Sequence, residues 1–150
     1  MADLTEQSKL TVIAQLGYAA HDAVFAVGAP QWYLDLLSQN QIIVPNDLLY
    51  FEDYANKLAL QRTEKLWLHG FFVNKADIDA ADFLNTLYYT SWEWDGVWVS
   101  WPNKKHQPTV ESNLTEQHFL DVLPPLGWSK SQLCDLAHGW NALQFSRHSQ

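Results

Sequence analysis

Cysteine is all but missing from this chain. Cys134 is the single one in 150 residues, so no internal disulfide can form, and a reducing compartment such as the cytoplasm fits that usage. Arginine is nearly as scarce: Arg62 and Arg147 are the only two, and 9 basic residues face 17 acidic ones for a net charge of −8. Nucleic-acid phosphates are held by Lys and Arg that release counterions, so nucleic acid is disfavoured as a partner. An anionic membrane is a poor match on the same ground, and a basic macromolecule is the charged partner that fits. Long uninterrupted apolar runs are lacking too. The stretch 10–29 contains Gln15, His21 and Asp22, which makes it an amphipathic core helix and not a membrane span. MADLTEQSK places no basic region ahead of an apolar segment, so no secretory signal is read there.

Familiar catalytic motifs are absent as well. There is no phosphate-cradling glycine loop, no Gly-x-Ser-x-Gly elbow and no Cys–His nucleophile pair. Asp77-Ile78-Asp79-Ala80-Ala81-Asp82 lacks the central glycine and closing glutamate of a calcium loop. No cofactor is indicated.

What the chain has in excess is aromatic surface, with eight Trp, seven Phe and six Tyr. Each buried ring removes about 150–250 Å² from water, so a few can dominate a core of this size. The apolar spacing predicts helices. One runs from Thr5 as cap to about Val27, and Pro30 opens a second over Gln31–Ser38. A third, over Asp47–His69 and ended by Gly70, carries two apolar stripes and contains Arg62 on one of them. Arg62 there is expected to pair with a carboxylate or bind an anion. A fourth spans Ile78–Tyr89, and Thr115 caps a fifth to about Leu123. A sixth follows the Pro124-Pro125 turn from Ser129 to Phe145. Leu4–Tyr18 and Leu114–Trp128 match at eight of fifteen positions; both segments call for a cap, an apolar stripe and a glycine stop.

The period changes at Ser91-Trp92-Glu93-Trp94-Asp95-Gly96-Val97-Trp98-Val99-Ser100-Trp101. Asp-Gly between two β-forming runs predicts a hairpin, because that pair tolerates the left-handed φ of a tight turn. Trp92, Trp94, Val97, Val99 and Trp101 then share a core-facing side. Trp98 and Glu93 fall on the other side, where an exposed Trp98 would anchor a partner. Lys104 and Lys105 lie just beyond, in the only basic cluster. His118, Asp121, Asp135 and His138 form two i,i+3 pairs that a helical hairpin turning near Leu126 would bring level, a candidate metal set.

The expectation is one mainly α (α+β) domain over 1–150, about six helices in a bundle with a Trp-rich β-hairpin at about 91–101. Its expected function is that of a small acidic cytoplasmic interaction module, of inhibitor or immunity type, that binds a basic protein through Trp98, Glu93, Lys104, Lys105 and Arg62. The alternatives are a metal-assisted hydrolase on the His/Asp set and a small-ligand binder with an aromatic pocket between hairpin and helices.

Overall fold

The computed structural model describes residues 12–42, 44, 65–89, 94–107 and 109–147. Their framework is a five-stranded mixed sheet. The strands are β1 (Ala23–Val27), β2 (Leu66–Phe71), β3 (Gly96–Pro102), β4 (Trp128–Leu136) and β5 (Trp140–Arg147). The sheet order is β1-β2-β3-β5-β4. β1, β2 and β3 run parallel, while β5 is antiparallel to both β3 and β4. Four labelled helices join them: α1 (Gln31–Gln39), α2 (Lys75–Ala80), α3 (Phe83–Tyr89) and α4 (Glu116–Val122). A further helical turn covers 12–16.

The helical bundle expected from sequence is therefore corrected to an α/β sheet covered on both faces. One face of β1–β3 packs Phe25, Leu68, Val97, Val99 and Trp101 with residues of α2, α3 and α4, including Ile78, Phe83 and Phe119. The other packs Val24, Trp67, Phe71 and Trp98 with Val12, Leu16 and the α1 residues Tyr33, Leu36 and Leu37. Every residue of β2 and β3 is buried. Strands covered on both sides carry apolar residues at nearly every position, and such a run has no period that separates it from a buried helix. That is why Ala23–Val27 and Leu66–His69 read as helix ends.

The turn at Asp95-Gly96 is likewise an entry into a central strand. The Asp95 backbone N–H donates to the Leu66 carbonyl and its carboxylate accepts the Leu66 N–H at 2.8 Å, so it ties the first residue of β2. Gly96 makes room for a neighbour: a Cβ there would stand 2.4 Å from the Trp67 indole. Asp22 does the matching work ahead of β1. Its carboxylate accepts from Ala19 N, Lys65 N and the Trp67 indole N–H. Two of these bonds tie the backbone ahead of the sheet's first two strands, and the third satisfies the buried Trp67 indole N–H. Residues 91–93, which would make most of the first strand of the expected hairpin, lie outside the described residues, and β3 takes β2 and β5 as its partners.

The sixth predicted helix is the antiparallel pair β4–β5. Its three-residue connection places His138 at φ 62° and Gly139 at φ 82°, left-handed values that no helix interior contains. The fourth predicted helix is divided in two, because Asp82 takes φ 54° between α2 and α3. Asn74 caps α2 and Asp77 completes a capping box at its third position. Thr115 caps α4, as its spacing suggests, and accepts from His118 N. Among the described residues of the two similar segments, Gly17 at φ 81° and Gly127 at φ 100° both take left-handed values.

Candidate functional site

The carboxyl ends of the parallel strands come together on one rim. β1 ends at Val27, and Gly28 turns the chain at φ 66°, so close to β2 that a Cβ would lie 2.7 Å from the Phe71 carbonyl oxygen. Pro30 then caps α1. β2 ends at Phe71, and Phe72–Asn74 lead into α2. Trp140 opens β5 opposite Pro102, the last residue of β3, so the antiparallel strand delivers its first side chain to the same rim. Between these elements lies a cleft of about 440 Å³ lined by Val27, Gly28, Phe71, Phe72, Val73, Asp77, Ala80, Ala81 and Trp140. It straddles the edge of the sheet, with Phe72 and α2 on one face and Phe71 and Trp140 on the other.

The lining is apolar and aromatic with one carboxylate. Asp77 is held in place because Oδ2 accepts the backbone N–H groups of Val73 and Asn74, which leaves Oδ1 for an incoming donor. Across the cleft the rings are stacked in order. Phe71 meets Trp140 edge-on at 5.2 Å, Tyr33 at 4.8 Å, and lies flat on His69 at 4.3 Å with 22° between planes.

Beneath Phe71 runs a buried chain of polar groups. The Tyr18 and Tyr33 hydroxyls are 2.9 Å apart, the Tyr33 hydroxyl is 2.6 Å from His69 Nδ1, and His69 Nε2 is 2.7 Å from Ser100 Oγ. One arrangement satisfies all of them: Tyr18 donates to Tyr33, Tyr33 donates to Nδ1, and Nε2–H donates to Ser100. Burial holds the His69 pKa well below its ordinary value and so keeps the ring neutral. Burial likewise pushes both tyrosines up. A serine beside a histidine resembles a nucleophile and base, but His69 and Ser100 are fully buried. No substrate reaches that hydroxyl, so the chain of bonds is not a hydrolytic centre.

Trp98, expected as an exposed anchor, is fully buried in the core against α1 and the 12–16 turn, with its indole N–H bonded to the Leu16 carbonyl at 3.0 Å. The reason is the covered sheet: both sides of β3 face helices, so alternation assigns faces without exposing either. Glu93 and Arg62 lie outside the described residues. Lys104 and Lys105 are exposed in the loop after β3, where Lys105 N donates to Asn103 Oδ1. His118 and Asp121 sit on α4, Asp135 is the last but one residue of β4 and His138 lies in the β4–β5 connection. Each has its own neighbour: His118 the Phe119 ring at 5.5 Å, Asp121 the Gln117 amide, Asp135 the Asn103 amide, and His138 the Trp32 ring at 4.7 Å. The helical hairpin that was to align them does not exist, and the described residues contain no group of three or more His, Cys, Asp or Glu able to hold a metal. Burial lowers the His118 pKa and raises that of Cys134.

Sequence reasoning passed over Gly28, Phe71, Phe72, Asp77 and Trp140. A usable signal existed in Ala23-Val24-Phe25-Ala26-Val27-Gly28, a short apolar run ended by glycine just ahead of a proline-led helix, which is a strand–turn–helix pattern.

The described residues contain no helix long and apolar enough to cross a membrane. No protein-family model matches the chain, and no curated protein matches it. Solved structures do match in fold. A SAM-dependent methyltransferase from Aquifex aeolicus superposes with a TM-score of 0.61 at 12% identity, over 93% of this chain and 89% of that one. The pyocyanin biosynthetic protein PhzM gives 0.52 at 12%, over 94% of this chain and 54% of that one. A TehB-like SAM-dependent methyltransferase from Corynebacterium glutamicum gives 0.50 at 10%, over 94% and 88%. The chain therefore has the α/β fold seen in SAM-dependent methyltransferases. The inhibitor-type module expected from sequence is set aside, since the chain has this sheet-based fold in place of a helical bundle and buries Trp98, its expected anchor. The hydrolase and hairpin-pocket alternatives fall with the helical hairpin and the β-hairpin they required.

Proposed function

We propose that this chain is a methyltransferase that takes S-adenosylmethionine in the cleft at the carboxyl ends of β1 and β2. The observation that carries the reading is the position of that cleft. In open α/β sheets ligands bind outside the carboxyl ends of the strands, and here a glycine turn, an apolar pocket and a single carboxylate meet there. A volume of about 440 Å³ and a mostly apolar lining with few polar groups are the marks of a small-molecule site.

The residues present suit the cofactor. Phe71, Phe72 and Trp140 offer faces for a heterocycle, and an aromatic wall also favours a positive sulfonium. Asp77 Oδ1 and the exposed backbone of Gly28 supply the polar contacts. When bound, S-adenosylmethionine supplies an electrophilic methyl group on its sulfur. The chain's own contribution is to bind, orient and exclude water, since Val27, Ala80 and Ala81 complete an apolar wall. Its glycine turn is spare: Pro30 and Trp32 follow Gly28 where a glycine-rich loop would continue, and Pro30 has no N–H to offer. Backbone contact is thereby concentrated at Gly28.

Titration calorimetry with S-adenosylmethionine and S-adenosylhomocysteine tests the reading. Ala80 is exposed at the cleft, so Ala80→Trp fills the cleft without disturbing the core. Saturable binding by the native chain, weakened at least about tenfold in Ala80→Trp at equal melting temperature, is expected. No heat and no thermal shift with either compound at about 1 mM would refute it, because a site of even about 4 kcal/mol registers at that concentration.

A further inference from the structure

Four polar groups placed in a dry interior are costly unless each is bonded, and apolar residues of the same shape would fill the space more cheaply. Tyr18, Tyr33, His69 and Ser100 are all buried, and all are bonded. Their placement is specific. They come from the segment before β1, from α1, from β2 and from β3, the elements that converge beneath the cleft. His69 is the centre, bonded at Nδ1 by Tyr33 at 2.6 Å and at Nε2 by Ser100 at 2.7 Å. A phenyl ring in the same slot could turn about its own axis with nothing lost, whereas turning this imidazole breaks both bonds.

Phe71 sits two residues further along β2 and so on the same face of the sheet. It lies flat on the His69 ring, with Tyr33 and Trp140 meeting it edge-on. Phe71 and Trp140 are the two rings that the cleft draws from this face. From this geometry we infer that His69 is a positioning residue: pinned at both nitrogens, it sets the plane of Phe71 and, through Phe71, the orientation of Trp140 that a ligand meets. The inference rests on the cleft being the ligand site proposed above. His69 touches no ligand and acts only through Phe71.

The test removes the pinning and keeps the packing. Replacing His69 alone by an apolar ring would strand the Tyr33 and Ser100 hydroxyls, so the variant is the fourfold Tyr18→Phe, Tyr33→Phe, His69→Phe, Ser100→Ala, which leaves none of these hydroxyls unpaired. His69→Gln, which keeps a donor and an acceptor but no stacking ring, is the second variant. The first readout is the flip rate of the Phe71 ring by aromatic NMR, assigned by its loss in Phe71→Leu. It requires no ligand. The second is the dissociation constant for S-adenosylhomocysteine. Faster Phe71 flipping in the folded fourfold variant is expected, with affinity weaker by about 2- to 12-fold, the range for one side chain that must be immobilised on binding. His69→Gln is expected to show the same faster flipping. Unchanged flipping in both variants overturns the inference, and so does unchanged affinity in a folded fourfold variant. If the native chain binds no S-adenosylhomocysteine, the proposed function fails by itself, while the flip rates still decide whether His69 orients Phe71.

Discussion

Acidification should destabilise this protein through His69 in a way that can be worked out beforehand. Burial depresses the folded-state pKa of His69, while in the unfolded chain it titrates near 6.5. Above about pH 6.5 both states are neutral and the histidine has no effect on stability. As pH falls below that value the unfolded chain takes up a proton that the folded one refuses, and stability is lost until the folded pKa is reached. At pH 5.5 the folding equilibrium constant is lower by up to about tenfold from this residue alone. With urea slopes of about 1–3 kcal/mol per molar for small proteins, the midpoint moves down by roughly half to one and a half molar. Urea unfolding followed by near-ultraviolet circular dichroism at pH 7.5 and 5.5 reads this directly. His69→Gln is the control, since glutamine keeps a donor and an acceptor for Tyr33 and Ser100 without the titration. Its midpoint is expected to move by that much less between the two pH values, while the partly buried His118, also depressed, contributes equally to both proteins. Equal displacement in the native chain and His69→Gln would refute the claim that a neutral histidine is sealed in the fold.

At the other end of the scale, Tyr18 and Tyr33 are raised by burial, so stability should hold up to about pH 10 and decline above it as the unfolded chain ionises first; Tyr18→Phe/Tyr33→Phe should flatten that alkaline limb. Trp98→Ala is expected to cost about 3–5 kcal/mol in chemical denaturation, the price of emptying a core indole site, and a loss under about 1 kcal/mol would contradict its burial. Gly96→Ala drives a methyl into the Trp67 indole and should cost about 1–3 kcal/mol, with Trp67→Leu relieving most of it in a double-mutant cycle. Asp95→Ala leaves the Leu66 N–H without its carboxylate and should cost about 1–3 kcal/mol, most of which Asp95→Asn restores.

The sequence by itself determined what is local. Pro30 at the head of α1 and Thr115 at the head of α4 are read from neighbours within a turn, because capping requires nothing distant. The split of Val97, Val99 and Trp101 from Trp98 and Ser100 was legible for the same reason: alternation along a strand is a property of the backbone. Tertiary structure decided the rest. Whether Ala23–Val27 and Leu66–Phe71 are helix or strand depends on having a neighbouring strand to pair with and helices on both faces, and a run apolar at nearly every position carries no period to say so. The exposure of Trp98 was undecidable from its face alone, since only the helices stacked on that face bury it. The cleft was beyond reach on the same ground. Gly28, Phe71, Asp77 and Trp140 are separated by up to 112 positions in the chain, and the parallel pairing of β1 with β2, together with β5 returning beside β3, is what brings them to one rim.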